Sequence, residues 1–258
     1  MKHKVERLTS RLTAIVSSWP GVECILSCEC GETDTIDPYF ALILDVYCSG
    51  HIPDDASRQA AFGDPGAFES SRGREKDRFF IDGLPIRVEY KRTSGMEDLL
   101  DNKFDSMWVF RGAGTYMLYR IVNGKVLFQR SDWIERVRNG LADTPADFWE
   151  RLIETHMFKM EHCLSDLGGA ALKDDRYFFF VSLSGFVRSC AAALFARNRQ
   201  WEPSDRNLTE SLLVLPCLPE DFSGRWESLL RTDGSLNPER KYQIAQLIAR
   251  SMFAQNCQ

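Results

Sequence analysis

Apolar residues in the first half of the chain follow two rhythms, and each predicts a different element. Over 4–18, Val5, Leu8, Leu12, Ile15 and Val16 recur at helical spacing, and Pro20-Gly21 ends the run. "VECILSC" and "YFALILDVYC" are short apolar runs fit for buried strands, separated by the turn-rich "ECGETDTIDP". Residues 49–77 are polar and predict a loop with a short helix near Ala56–Phe62. "DRFFIDGLPIRVEYKR" predicts two strands around "DGLP", with Arg87, Glu89 and Lys91 alternating with Ile86, Val88 and Tyr90. "GMEDLLDNKF" predicts a helix. In "YMLYRIVNGKVLFQR" the pair Asn123-Gly124 between apolar runs predicts a hairpin, with a helix ending over Leu118–Ile121 as the other reading.

Near residue 131 the texture changes to helix after helix. "SDWIERVRNG" carries capping signals, and helical patterns follow at about 145–166, 176–198, 205–214, 219–231 and 237–255. The expected organisation is an α/β domain at 1–130 and a helical bundle at 131–258. The fold class is α+β, with a small mixed sheet first and an all-α half after it.

Composition narrows the function. With 44% hydrophobic and 27% charged residues the body of the chain is globular rather than disordered. A net charge of −5 opposes broad nucleic-acid binding, which needs a basic field. The N-terminus lacks the apolar core of a signal peptide, and no uninterrupted apolar run reaches the roughly 20 residues of a span. A cytoplasmic protein without a membrane partner is expected. The eight cysteines are then expected as thiols, and Cys24, Cys28 and Cys30 lack the second pair or nearby His of a zinc site.

The candidate chemistry lies in two carboxylates. Asp45 stands inside an apolar strand, on the face it shares with Ala41 and Ile43, and Glu89 stands in a second strand. If those strands are neighbours the acids converge, and converging acids need a cation between them. Mg²⁺ suits such oxygen donors and supports phosphoryl or nucleotidyl transfer. Against this stands a solvated strand face on which Glu89 simply pairs with Arg87 or Lys91. Gly31 could turn its backbone N–H toward phosphate, and Arg58, Arg72, Arg74, Lys76 and Arg78 could clamp one or belong to a mixed-charge loop. In the helical half, Glu154 or Glu161 could act as a general base, whereas His156 and His162 are too far apart in register to share a metal.

The order helix, strand, Gly-containing loop, "DPY" turn, acidic strand and later one-acid strand resembles the nucleotidyltransferase superfamily, which includes DNA polymerase beta and the kanamycin nucleotidyltransferases. The second half resembles the helical bundle of the antibiotic enzymes and their bacterial relatives. "ALFARNRQWEPSDRNLTESL", at 193–212, is similar to their Asn-Arg, aromatic, Pro segment. The resemblance implies Mg²⁺ or Mn²⁺ on Asp45 and Glu89, an NTP (ATP foremost) with its phosphates over Gly31 and steadied by Arg87 or Lys91, and Asn198, Arg199 and Trp201 near the acceptor. It implies transfer of NMP to a small hydroxylated molecule or a protein side chain. The chain departs from the pattern in two places. No Gly-Ser pair follows the first strand, where "SCECGETD" offers only Gly31, and Ile43 stands where a second acid is expected. Either Asp37 or Glu32 completes the acidic site, or the fold serves as a degenerate, nucleotide-sensing or protein-interaction module.

Overall fold

The computed structural model describes residues 2–28, 41–73 and 75–254. Gly31, Glu32 and Asp37 lie outside the described residues. The chain divides into two compact units, one made of Met1–Lys103 with Leu118–Asp143, the other of Phe104–Met117 with Thr144–Gln258. The change of texture near residue 130 falls inside the first.

Unit 1 is a six-stranded mixed sheet. Helix α1 (Lys2–Ser17) leads into β1 (Val22–Ser27) and β2 (Leu42–Cys48); α2 (Asp55–Ala61) and β3 (Gly66–Ser70) follow, then β4 (Lys76–Ile81) and β5 (Leu84–Arg92). Helix α3 (Thr93–Asp101) leaves the sheet. After α4 (Met107–Ala113), which belongs to unit 2, the chain returns through α5 (Tyr116–Asn123), most of which lies in unit 1, β6 (Lys125–Gln129) and α6 (Trp133–Ala142). The strand order is β3-β4-β5-β2-β1-β6, with β2 and β5 parallel and the other pairs antiparallel.

Alternation gives the sheet two unlike faces. Leu42, Leu44, Val46 and Val88 point to the side covered by Leu8, Leu12 and Val16 of α1, and this is the core of the unit. Ile43, Asp45, Tyr47 and the charged positions of β5 point to the other side, where Trp133 at the start of α6 packs on Tyr47 with ring centroids 5.0 Å apart. All seven residues of β2 are buried because both faces are covered.

A buried ion pair ties the α2–β3 excursion down. Arg58 donates from Nε and Nη2 to the Asp77 carboxylate at 2.7 and 2.8 Å, and from Nη1 to the Pro53 carbonyl at 2.8 Å. Tyr90 Oη donates to Asp77 Oδ2 at 2.8 Å. Arg58 thus works inside the fold rather than as a free phosphate clamp.

Unit 2 is helical. Helices α7 (Ala146–Lys173) and α8 (Arg176–Arg197) form an antiparallel hairpin, followed by α9 (Leu208–Leu213), α10 (Phe222–Leu230) and α11 (Pro238–Ala254). Met160, Leu167, Phe186, Phe195, Trp226 and Ile248 lie in its core. Close approach within the hairpin needs Gly185, where an added Cβ would sit 2.7 Å from Cys163 Sγ.

Three sequence expectations change. Residues 116–129 are a helix then a strand, not a hairpin: Leu118 and Ile121, one helical turn apart, are both buried, and Asn123 ends the helix. The polar stretch before residue 77 contains an edge strand, β3, whose side chains are largely exposed and so leave no apolar alternation to read. Cys217 is disulfide-bonded, whereas Cys24, Cys28, Cys48, Cys163 and Cys190 are free.

Candidate functional site

Asp45 and Glu89 are direct partners in the parallel register of β2 and β5, so their side chains leave the same face side by side. The cation between them belongs to the protein. Arg120, on α5 above that face, donates from Nη2 to Asp45 Oδ1 at 2.5 Å and from Nη1 to Glu89 Oε2 at 3.0 Å. Lys91, two residues along β5 on the same face, brings Nζ to 2.8 Å from Asp45 Oδ1 and 3.7 Å from Glu89 Oε2. Lys76 and Arg87 stand 3.5 and 3.7 Å from Glu89 Oε1. Cys28 approaches the other Asp45 oxygen, Sγ to Oδ2 3.7 Å.

The electrostatics follow from burial. Loss of water alone would raise the Glu89 carboxyl, but Arg120, Lys91, Lys76 and Arg87 outweigh it and hold that group below its ordinary range. Burial opposes the charge on Arg120 too, and the two carboxylates reverse this, raising its affinity for its proton. The Cys28 thiol is pushed up to about 12 by burial and by Asp45, so it is an inert neighbour rather than a nucleophile.

These donors do not fit a two-metal centre. Asp45 is fully buried with one oxygen shared by two cations, and a guanidinium bridges the pair where a divalent ion would have to stand. Ile43 supplies no third carboxylate on that face. Among the described residues no group of three or more His, Cys, Asp or Glu is arranged to hold a metal ion. Next to the acids lies a cavity of about 440 Å³ over β3–β5, whose lining includes Lys76, Arg78, Lys91, Glu69, Glu75 and Glu89.

Comparison with known proteins supports the architecture. A crystal structure of a nucleotidyltransferase-like protein from Exiguobacterium sibiricum 255-15 superposes with a TM-score of 0.51 at 12% identity, covering 96% of this chain and 74% of that one. The fold is nucleotidyltransferase-like. A family model described as a domain of unknown function (DUF4037) matches residues 111–206, a stretch that contains Arg120 but neither acid. No curated protein matches the chain.

Within this nucleotidyltransferase-like fold the expected site residues separate into two groups. Asp45, Glu89, Arg87 and Lys91 are brought together in unit 1, and Gly31 is outside the described residues. Asn198, Arg199 and Trp201 belong to unit 2. The Asn198 side chain clips a loop to the end of α8: Nδ2 donates to the Leu194 and Cys217 carbonyls at 2.8 and 3.0 Å, and Oδ1 accepts from Cys217 N–H at 2.8 Å. Trp201 is buried against Trp149, with ring centroids 4.4 Å apart, and Arg199 is exposed with φ 53°. Beside Trp201, the Glu202 carboxylate accepts from Thr115 N–H at 2.8 Å and Oγ1–H at 3.0 Å. Burial raises Glu202 despite these bonds. Glu154 and Glu161 are exposed on α7.

Arg120, the bridge between the two acids, is the site residue the sequence pattern missed. It was hidden by the hairpin reading of "YMLYRIVNG", yet a signal was present: one cation in an apolar run complements one acid, Asp45, in another.

Proposed function

We propose that this chain is a nucleotide-sensing module on a nucleotidyltransferase-like fold, with the acid pair built for holding structure rather than for transferring a nucleotidyl group. The observation that carries the reading is the Arg120 guanidinium bridging Asp45 and Glu89, with Lys91 as a second counter-ion. Two carboxylates already neutralised and hydrogen-bonded have little to gain from a divalent ion, which would have to shed water and displace Arg120 and Lys91 to reach them. Lys76 and Arg78, on the wall of the adjacent cavity, are the groups that would meet a nucleotide's phosphates without metal.

One observation favours the transferase reading, with Mg²⁺ or Mn²⁺, an NTP such as ATP, and a small hydroxylated or protein acceptor. This is the in-register placement of the two acids on one face. Titration calorimetry with ATP separates the two readings. The sensing module binds ATP equally with Mg²⁺ or with chelator, and loses affinity in Lys76→Ala and Arg78→Ala. Affinity that requires Mg²⁺ and disappears in Asp45→Asn and Glu89→Gln would instead establish the transferase site.

A further inference from the structure

On the face of the sheet that carries Asp45 and Glu89, two arginines stand where a sheet normally sets opposite charges. Lys76, Arg78 and Phe80 alternate with the buried Asp77, Phe79 and Ile81 along β4, and Pro85, Arg87, Glu89 and Lys91 alternate with buried residues along β5. The antiparallel register sets Lys76 opposite Glu89, Arg78 opposite Arg87 and Phe80 opposite Pro85. Lys76 and Glu89 attract, with Nζ 3.5 Å from Oε1. Arg78 and Arg87 repel, and like charges placed opposite one another cost a sheet stability. Arg87 has Glu89 at 3.7 Å. Arg78 makes no side-chain ion pair or hydrogen bond among the described residues, although Glu69 is its register partner on β3. Phe80, the next side chain along this face, is 49% exposed.

We propose that this row binds a nucleoside polyphosphate in one orientation. The base stacks on Phe80, Arg78 and Arg87 hold the phosphate next to the sugar between their guanidinium forks, and the remaining phosphates run along β4 to Lys76. The proposal rests on the nucleotide-sensing reading, and adds to it the lie of the ligand and two residues that recognise it, Arg87 and Phe80. Three features support it. An anion between the two arginines turns their repulsion into two charge-assisted contacts, and the fork of Arg matches phosphate geometry. An open aromatic ring beside cations on a sheet face is the arrangement that stacks a base while its phosphate is held. Same-face positions along a strand are about 6.7 Å apart, so Phe80, Arg78 and Lys76 make a row about 13 Å long. That row ends in the cavity of about 440 Å³, whose wall includes Lys76, Arg78 and Lys91. Glu69 and Glu75 line the same cavity and oppose an anion, whereas Glu89 is already paired with Arg120. The cations Lys76, Arg78, Arg87 and Lys91 outnumber the two free acids.

The test is titration calorimetry of the full chain in chelator, with ATP and with inorganic tripolyphosphate. Phe80→Ala should weaken ATP at least about fivefold and leave tripolyphosphate unchanged, because only ATP has a base to stack. Arg87→Lys keeps a charge beside Glu89 but loses the fork, and should weaken both ligands about tenfold. Arg78→Ala should weaken both as well. Without ligand it should melt no lower than wild type, since the change removes a repulsion. ATP binding that needs Lys76 but ignores Phe80→Ala and Arg87→Lys overturns this placement and leaves the sensing reading standing. Binding that requires Mg²⁺, or no binding in either condition, overturns both. A Phe80→Ala loss shared equally by tripolyphosphate would mark a general disturbance of the face and overturn the stacking. A lower melting midpoint for Arg78→Ala would make that arginine a structural residue and overturn its assignment.

Discussion

Arg120 decides how unit 1 balances its charges. Two carboxylates out of water on one face would each resist ionising, and the guanidinium fork between them gives both a charge-assisted donor. Arg120→Met leaves Asp45 paired with Lys91, and Glu89 with Lys76, Arg87 and Lys91, so it should cost unit 1 about 1–3 kcal/mol, the penalty for stripping buried acceptors of a donor. The cost should shrink when Asp45→Asn and Glu89→Gln are added, because the acceptors that lost their Arg120 donor are then no longer charged. Urea midpoints of the single and triple variants check this, and a triple variant no more stable than the single one would contradict it. His156 gives unit 2 a pH dependence of its own. It is buried, its Nε2 has no hydrogen-bond partner among the described residues, and burial with help from Lys159 and Arg111 lowers its pKa from 6.5 to about 4. The unfolded chain takes up this proton near 6.5 and the folded chain resists until about 4. The stability the neutral ring allows is therefore complete above 6.5 and lost as pH falls toward 4, by up to about 3 kcal/mol. In His156→Leu, denaturation midpoints across that window should lose this slope.

Helix α5 is the element that brings Arg120 to the sheet, and its junction with β6 sets where Arg120 stands. The chain turns from helix to strand at Gly124, whose N–H donates to the Arg120 carbonyl at 2.9 Å. A Cβ there would lie 2.5 Å from that same carbonyl oxygen and 3.3 Å from Leu26 Cβ on β1. Gly124→Ala must move either α5 or the sheet, so it should cost about 1–3 kcal/mol. It should also loosen the Arg120 bridge. Hydrogen exchange would report this as faster amide exchange in α5 and at β2, and unchanged exchange in α5 would refute it. This junction also shows what the sequence can and cannot reveal. Asp45 and Glu89 were legible as a pair because period-two alternation places strand side chains, and one parallel register then joined them. Asn123-Gly124 misled because the same dipeptide serves a tight hairpin or a helix end. The choice between them rests on Leu118 and Ile121 packing one turn apart, which depends on neighbours distant in sequence. Asn198 and Trp201 stood out from their surroundings as expected, but a clip and an aromatic stack look the same in a sequence as a substrate contact.

At the scale of the whole molecule the two units are interleaved rather than consecutive, and this governs how the chain can be divided. Phe104–Met117 belongs with the helical unit although it precedes the last strand of the sheet, and α6 belongs with the sheet although it follows the change of texture near residue 130. A cut between residues 130 and 131 would harm both parts. The fragment 131–258 would keep α6, whose Trp133 packs on Tyr47 of the missing sheet, as an exposed apolar helix. It would lose Thr115, which satisfies the buried Glu202 carboxylate, and Phe110, which meets Phe148 edge-on at 5.5 Å. A buried carboxylate without donors and a vacated aromatic site are each among the costly lesions of a folded core. Fragment 131–258 should therefore show helical far-ultraviolet dichroism and bind a hydrophobic dye, yet melt without a cooperative transition. A second chain, with residues 104–117 joined by a flexible Gly-Ser linker to 144–258, keeps every contact just named within unit 2. It should melt cooperatively and leave the dye unbound. Equal cooperativity in the two fragments would mean that Phe104–Met117 adds nothing to the helical unit, and the boundary would then belong near 130 after all.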